Sequence, residues 1–270
     1  MPIKLIAIDM DGTLLNSNRQ ISARNAAAIK AALQKGIIVT IATGRMFAAV
    51  QHFALDLGLN VPLIVYNGAL IKEAVSGKIL GAWPVPQALS NAIVNYCLDR
   101  NIYIHAYIQD RLWVYEDCEW ARYYADFAQV PFEVHGEELR HLPEGSHKLL
   151  CITEQAEQLQ KDLEQLYGDK VHLTGSIKDF LEIVALGTSK WQAIARLAAK
   201  FHIEKAEIMC IGDSGNDFEM VSNAGIGVAM GNATDKVKDA AKIITAPNDA
   251  DGVALILEQI MTKQLLVPEV

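Results

Sequence analysis

Basic residues are the scarcer charged residues in this sequence. Its 270 residues include 24 Lys and Arg against 32 Asp and Glu, which gives a formal net charge of −8. Binding along a nucleic-acid backbone needs a positive field, and the sequence contains no run of Lys or Arg that would supply one locally. The charge balance therefore argues against a nucleic-acid-binding function.

Cysteine is also sparse, and its spacing excludes two common uses. The four cysteines form no Cys-x-x-Cys pair and lie far apart in the chain, at Cys97, Cys118, Cys151 and Cys210. Neither a zinc site nor a disulfide scaffold is predicted from this spacing. We expect buried free thiols in a reducing cytosol instead.

Long apolar runs are missing as well. Only the four apolar residues 5–8 precede Asp9, too few for a signal-peptide core. No other run approaches the ~20 residues that span a bilayer, so we expect a cytoplasmic protein without membrane contact. Hydrophobic residues make up 51% and charged residues 21% of the chain, proportions that exclude bulk disorder. The length fits one large domain or two smaller ones.

Short, continuous apolar runs alternate with helical segments at both ends of the chain. Continuous apolar strands joined by helices are typical of a parallel sheet covered on both faces. The sequence therefore predicts an α/β fold with a Rossmann-like parallel-sheet core. The predicted strands are 5–8, 37–42, 63–66, 208–211, 225–230 and 243–245, and the predicted helices are 23–35, a segment ending near Leu57, 190–201, 216–223 and 253–261.

The middle of the chain has a different composition. Ten of the twelve Tyr and Trp residues lie between Trp83 and Tyr167. Alternating apolar and polar stretches there favour a sheet with one solvated face, and we interpret most of its aromatic residues as sheet core. The sequence thus predicts an inserted α+β cap domain over residues 84–186, within a discontinuous core of residues 1–83 and 187–270.

Polar residues follow three of the predicted parallel strands: Asp9, Thr43 and Asp213. Because ligands of open parallel sheets bind outside the carboxyl ends of the strands, we expect these residues to share one crevice. Clustered carboxylates need a cation or a proton, and oxygen ligands without His or Cys favour Mg²⁺. Thr43 with the turn at Gly44 offers an anion cradle, and Lys190 a positive charge at a helix start. These are the parts of phosphoryl transfer through an aspartyl-phosphate.

Each motif also has a structural interpretation when it is taken alone. An Asp-x-Asp-Gly-Thr run is compatible with a simple capped turn, and an isolated Lys190 is more often a solvated helix residue. The joint order of the motifs favours the functional interpretation. The Gly-rich segment 225–231 has its third Gly one position late for a dinucleotide fingerprint, and we interpret it as a buried strand.

Together these motifs resemble those of haloacid-dehalogenase-superfamily phosphatases of the Cof-like branch, which carry a large α/β cap between the second and third motifs. One residue departs from the pattern, since Trp191 stands where the family often has Gly. The resemblance covers the whole chain in order, with matches at 9–14 (DMDGTL), 43–45 (TGR), 66–69 (YNGA), Lys190 and 212–217 (GDSGND).

The resemblance implies roles for individual residues. Asp9 is then the nucleophile and a Mg²⁺ ligand, and Asp11 is the general acid, later the base, and a metal ligand through its backbone carbonyl. Asp213 is the third protein ligand of the metal, and Asp217 supports it from behind the ligands or through a water molecule. The residues expected to bind the phosphoryl group or substrate are Met10, Thr43, Gly44, Lys190 and Asn216.

The resulting hypothesis is Mg²⁺-dependent hydrolysis of a small phosphomonoester, a sugar phosphate or similar metabolite by the range of the family. Asp9 attacks in line, Asp11 protonates the leaving oxygen, and Asp11 then activates a water. Two alternatives stay open: a phosphomutase on the same core, and a non-catalytic sugar-phosphate-binding protein. We expect a phosphorylated metabolite as the partner, no nucleic acid or membrane, and a monomer or weak homodimer.

Overall fold

The computed structural model describes residues 2–59, 61–175 and 179–262. Within these ranges the chain forms nine α-helices and fourteen strands, with short 3-10 or π-helical turns between some of them. The helices are α1 (Ala23–Gln34), α2 (Gln51–Leu57), α3 (Gln87–Leu98), α4 (Glu119–Ala128), α5 (Ala156–Tyr167), α6 (Lys190–Lys200), α7 (Phe218–Asn223), α8 (Asp235–Ala240) and α9 (Gly252–Met261). The strands are β1 (Leu5–Ile8), β2 (Ile38–Ile41), β3 (Pro62–Val65), β4 (Leu70–Glu73), β5 (Ile79–Ala82), β6 (Tyr103–Ile108), β7 (Arg111–Val114), β8 (Phe132–Val134), β9 (Leu149–Ile152), β10 (Val171–Thr174), β11 (Phe180–Ala185), β12 (Ile208–Gly212), β13 (Ile226–Ala229) and β14 (Ile243–Ile244).

The core of the molecule is a parallel sheet in the order β14-β13-β12-β1-β2. Leu5 of β1 lies opposite Ile208 of β12 on one side and Ile38 of β2 on the other. Every residue of β1 and β12 is buried, as expected for strands with helices on both faces. This arrangement confirms the predicted parallel-sheet core.

Local sequence signals place the ends of several core helices. Ser22 begins α1, where its Oγ accepts a hydrogen bond from the Asn25 backbone N–H at 3.0 Å. Gly58 ends α2 in the left-handed conformation, with φ of 72°. Ser189 caps α6 in the same way as Ser22 caps α1, so Lys190 occupies the first position of that helix.

The third predicted strand pairs differently from our expectation. Residues 63–66 were expected to extend the parallel sheet, but β3 joins it through one parallel bridge, between Ala42 and Ile64. Its full ladder is antiparallel to β4, which in turn pairs with β5. The reason is the turn at Tyr66 and Asn67, whose φ angles of 52° and 54° reverse the chain directly after β3.

A second sheet lies in the inserted middle of the chain, in the order β10-β11-β9-β6-β7-β8. Its ladders are antiparallel except for the parallel pair β7–β8. The fold is therefore an α/β fold with a parallel core sheet and an inserted cap built on a mixed sheet.

Both faces of the cap sheet are covered, in contrast to the solvated face expected from its alternating pattern. One face packs in a cluster with residues of α3 and α5, through Ile104, Leu149, Leu181 and Ile183. The other face belongs to the apolar cluster of the core sheet and α4, through Tyr107, Leu150, Ile152 and Phe180. Alternation separates the two faces of a strand, and here the parallel-sheet core and α4 replace water on the second face.

All four cysteines are free thiols, as expected. Cys97, Cys151 and Cys210 are buried, and Cys118 is half-buried. Across the parts of the chain that the structure describes, no helix is long and apolar enough to cross a membrane.

Candidate active site

Asp9 lies at the carboxyl end of β1, where the chain turns through residues 10–14. Gly12 has φ of 75° in this turn, and a Cβ there would lie 2.7 Å from Asp213 Oδ2. Only glycine therefore lets the loop after β12 approach this closely. Thr13 Oγ1 donates a hydrogen bond to Asp213 Oδ1 at 2.8 Å, which joins the first motif to the last.

Lys190 is buried between two carboxylates. Its Nζ donates hydrogen bonds to Asp9 Oδ1 and Asp217 Oδ1, each at 2.6 Å, and its side chain is 1% exposed. Burial lowers the pKa of Lys190, but Asp217 and Asp9 more than offset this effect and raise it above its usual range. Lys190 thus carries its positive charge inside the site.

Asp217 holds the last motif in shape. Its Oδ2 accepts hydrogen bonds from the backbone N–H groups of Asp213 and Ser214, both at 3.0 Å, while Lys190 occupies Oδ1. Asp217 is fully buried. Both of its oxygens are therefore engaged in supporting the loop and the lysine.

Three carboxylates converge in a way that suits a metal ion. One oxygen each of Asp9, Asp213 and Asp217 lies within 4.8 Å of the others. Burial, with the charge of Asp217, raises the pKa of Asp9 well above its usual range, and the same two effects raise the pKa of Asp213 to about 6. A cation would relieve this crowding of negative charge, and an oxygen-only donor set suits a hard cation.

The side chain of Asp11 points to a different partner. Arg45 Nε donates to Asp11 Oδ2 at 2.8 Å and Arg45 Nη2 to Asp11 Oδ1 at 2.6 Å, a bidentate pair. The Asp11 carboxylate is not one of the three that converge. The metal contact predicted for Asp11 is through its backbone carbonyl and does not require the side chain. Arg45 was part of the TGR motif but was not predicted as a site residue.

Thr43 and Gly44 form the turn after β2. Thr43 is buried, and its Oγ1 accepts a hydrogen bond from the Arg45 backbone N–H at 3.2 Å. A Cβ on Gly44 would lie 2.9 Å from Asn67 Oδ1, so the small residue allows the 66–69 segment to approach. Asn67 in turn accepts from Asn216 Nδ2 at 3.1 Å.

Two residues of the cap complete this network, and the sequence analysis did not find them. Lys148 Nζ donates to the Gly44 carbonyl oxygen at 2.7 Å and also to Glu182. Glu182 Oε2 accepts from Asn67 Nδ2 at 2.9 Å. The available signal was Glu182 itself, a charge within the otherwise apolar strand Phe180–Ala185.

A cavity of about 260 Å³ lies between the core and the cap. Lys190 lines an adjacent cavity of about 230 Å³ with Asn67 and Asn216. A larger cavity of about 610 Å³ lies on the cap and is lined by none of the predicted site residues among those described. The core contributes Asp9, Asp11, Gly12, Thr43, Gly44, Arg45, Asp213, Ser214 and Asn216 to the 260 Å³ cavity, and the cap contributes Tyr124, Phe127, Ala128, Lys148, Leu150, Phe180 and Glu182.

Comparison with known proteins agrees with this geometry. A family model for haloacid dehalogenase-like hydrolases matches residues 6–257. The chain belongs to the haloacid dehalogenase-like hydrolase family. It is 34% identical, over an alignment of 288 positions, to 5-amino-6-(5-phospho-D-ribitylamino)uracil phosphatase YwtE of Bacillus subtilis strain 168, and the alignment covers 97% of this chain and 99% of that protein.

Solved structures place this hydrolase within the family. TM0651 from Thermotoga maritima superposes with a TM-score of 0.84 at 32% identity, covering 95% of this chain and 97% of that one. The subclass IIB sugar phosphatase BT4131 superposes with a TM-score of 0.86 at 26% identity, covering 96% and 99%. The chain is a Cof-like phosphatase of subclass IIB, and its reaction class is phosphoric monoester hydrolysis.

Neither Met10 nor Trp191 lines the cavity of about 260 Å³. The Met10 side chain is fully buried in the core, so only its backbone is available to a phosphoryl group. Trp191 packs against the core cluster, with Lys205 Nζ 5.8 Å from its ring. The indole that replaces the frequent Gly of the family therefore leaves that cavity open.

Proposed function

We propose that this phosphatase hydrolyses small phosphorylated metabolites with Mg²⁺ through an aspartyl-phosphate on Asp9. The observation that carries the proposal is the buried Lys190, which binds Asp9 Oδ1 at 2.6 Å beside the Asp213 carboxylate. This places a nucleophile, a fixed positive charge and a pair of metal-competent carboxylates side by side, with Asp9 and Asp213 lining the cavity of about 260 Å³ and Lys190 lining the adjacent one.

The reaction needs two displacements at phosphorus. An Asp9 oxygen attacks the phosphorus, the ester P–O bond breaks, and the leaving oxygen takes a proton from Asp11. A water then attacks the phosphorus of the acyl phosphate and gives its proton to Asp11, and the bond to Asp9 breaks to release phosphate. Arg45 holds the Asp11 side chain beside the cavity through two hydrogen bonds, and one of them must open for Asp11 to carry and donate the proton.

The phosphoryl group would be bound by groups from four segments of the core. These are the Thr43 hydroxyl and the turn at Gly44, the Asn216 amide, the Met10 backbone and the Lys190 ammonium group. Positive charge and N–H donors fixed in a closed site stabilise the charge on a transferring phosphoryl group, because they need no reorganisation during the reaction.

A bound Mg²⁺ would be held by the carboxylates of Asp9 and Asp213 and by the backbone carbonyl of Asp11, with Asp217 in support. The raised pKa values of Asp9 and Asp213 support this assignment, since burial and the charge of Asp217 disfavour their ionised forms in the metal-free protein, and a cation would offset this. When bound, the ion supplies charge neutralisation and orientation of the phosphate oxygens.

We further propose that the core comprises residues 1–83 and 187–270, and that the cap, residues 84–186, sets the choice of substrate. The cap supplies the aromatic wall of the cavity, through Tyr124, Phe127 and Phe180. The relatives named above act on a phosphorylated ribitylaminouracil and on sugar phosphates. We therefore propose a sugar phosphate or a similar metabolite as substrate.

The test is phosphate release from a panel of phosphorylated metabolites with Mg²⁺ or with EDTA, using the wild-type protein and Asp9→Asn. We expect Mg²⁺-dependent release by the wild type and a loss of more than about 100-fold in the variant, since an amide is no nucleophile. Acid quenching should trap a base-labile phosphoenzyme in the wild type alone.

Two results would contradict the proposal. Comparable activity of Asp9→Asn and wild type would exclude the aspartyl-phosphate. Conversion of a hexose phosphate to its isomer without free phosphate would favour the phosphomutase alternative instead.

A further inference from the structure

A lysine of the cap reaches into the turn that is proposed to bind the phosphoryl group. Lys148 directly precedes β9 of the cap sheet, is 1% exposed, and donates to the carbonyl oxygen of Gly44 at 2.7 Å. These two residues are 104 positions apart in the sequence. A buried lysine is rare without a specific partner, and here one partner is the backbone of the core.

This contact constrains the peptide group between Gly44 and Arg45. In a trans peptide the C=O and N–H groups point in opposite directions. With the oxygen facing Lys148, the Arg45 N–H faces away and donates to Thr43 Oγ1 at 3.2 Å. Because that hydroxyl oxygen accepts this bond, the hydroxyl hydrogen is available to donate toward the cavity that Thr43 lines.

Lys148 is also connected to Asn216, through Glu182 and Asn67. Glu182 accepts from Lys148 and, at 2.9 Å, from Asn67 Nδ2. Asn67 Oδ1 accepts from Asn216 Nδ2 at 3.1 Å, and Asn216 Oδ1 accepts from Ser214 Oγ at 2.8 Å. One buried ion pair is thus connected to the orientation of both Thr43 and Asn216.

Stability alone does not account for this pair. Two buried charges lose their hydration, and well-packed neutral residues of similar volume often replace such pairs without loss of stability. Burial lowers the pKa of Lys148, but Glu182 and Tyr124 raise it above its usual value, so the lysine stays charged. The geometry of the network therefore points to positioning of the phosphoryl pocket.

We propose that Lys148, held by Glu182, is a positioning residue that sets the donor groups of the phosphoryl pocket from the cap. It orients the Gly44–Arg45 peptide and, through Asn67, the amide of Asn216. This role concerns the phosphoryl group common to all substrates and is separate from recognition of the leaving group. The inference rests on the proposed function, because it assigns phosphoryl binding to Thr43 and Asn216.

The test compares wild type with the double variant Lys148→Met/Glu182→Gln, which removes both charges. Lys148→Met alone is less useful, since it leaves the buried Glu182 carboxylate without the positive charge of Lys148, which would destabilise the fold. The matched control is Lys161→Met, which removes an exposed lysine from α5 of the same cap. The measurements are Tm, kcat with an aryl phosphate and with several sugar phosphates, and calorimetric binding of orthovanadate, a phosphate analogue, in Mg²⁺.

We expect kcat of the double variant to fall by about tenfold or more with every substrate, by a similar factor, because misplaced donors affect the shared transition state. Orthovanadate affinity should fall by about the same factor, with Tm close to wild type. Lys161→Met should match wild type in all three measurements.

Two outcomes would overturn the inference. Unchanged orthovanadate affinity and kcat would show that the pair does not set the pocket. Losses that differ strongly between substrates would assign Lys148 to the leaving group instead. A failure of the proposed function is a separate observation, because the wild type would then release no phosphate from any substrate.

Discussion

Replacement of Lys190 by Met should destabilise the protein and nearly abolish its activity. The Lys190 Nζ lies 2.6 Å from carboxylate oxygens of Asp9 and Asp217, and all three side chains are at most 5% exposed. Removing one partner of a buried ion pair costs about 3–5 kcal/mol of unfolding free energy. At about 2–4 °C per kcal/mol for a domain of this size, Tm in EDTA should fall by about 6–20 °C.

Magnesium should reduce this difference in Tm. A bound cation would supply part of the positive charge that Lys190→Met removes, so the gap between variant and wild type should be smaller in saturating Mg²⁺ than in EDTA. Activity should not recover, because loss of a preorganised charge beside the phosphoryl group costs about 100- to 1,000-fold in kcat.

Thermal denaturation and steady-state rates with an aryl phosphate test both expectations. The matched control is Lys200→Met, which removes an exposed lysine at the other end of α6. If Lys190→Met in EDTA melted within about 2 °C of that control, the two ion pairs of Lys190 would contribute little to the stability of the fold. The assigned charges of the site would then be wrong.

Three further predictions follow from the site. Asp11→Asn should lose less activity with aryl phosphates than with alkyl phosphates, whose leaving groups need a proton. Arg45→Met should show the same bias, because the Asp11 carboxylate is then no longer held in place. Equal losses with both substrates would contradict the acid role of Asp11. The pKa of Asp213 in the folded protein is about 6, above its ordinary value of 3.8. The metal-free folded protein therefore binds the Asp213 proton more strongly than the unfolded chain does, and its stability should fall as the pH rises from the ordinary pKa to the folded one. Calorimetry in Mg²⁺ should correspondingly show weaker metal binding at pH values below about 6. Phe127→Ala should reorder the ranking of substrates by kcat/KM while changing orthovanadate binding little; an unchanged ranking would place specificity outside the aromatic wall.

The core sheet and the ends of its strands were predictable from local sequence. Continuous apolar runs specify strands buried on both faces, and residues such as Ser22 and Gly58 mark helix ends through their own backbone chemistry. Parallel topology then brings the ends of β1, β2 and β12 together at one edge of the sheet. The convergence of Asp9, Thr43 and Asp213 therefore required no knowledge of distant contacts.

The partner of β3 was predicted wrongly. An apolar run such as Pro62–Val65 is compatible with a parallel or an antiparallel neighbour. The left-handed turn at Tyr66 and Asn67 reverses the chain and selects the antiparallel hairpin. The Asn67-Gly68 pair is the sequence signal for that turn, and our expectation for β3 overlooked it.

By itself the sequence determined the parallel core, the crevice at its edge and the carboxylates and lysine that meet there. It also placed Glu182 in an apolar strand, and a buried charge must find a partner because its hydration is lost. Only the tertiary structure decided which partners these are: Lys148 and Asn67 for Glu182, and Arg45 for Asp11. The requirement for a partner is local chemistry, whereas its identity depends on how the cap is seated on the core.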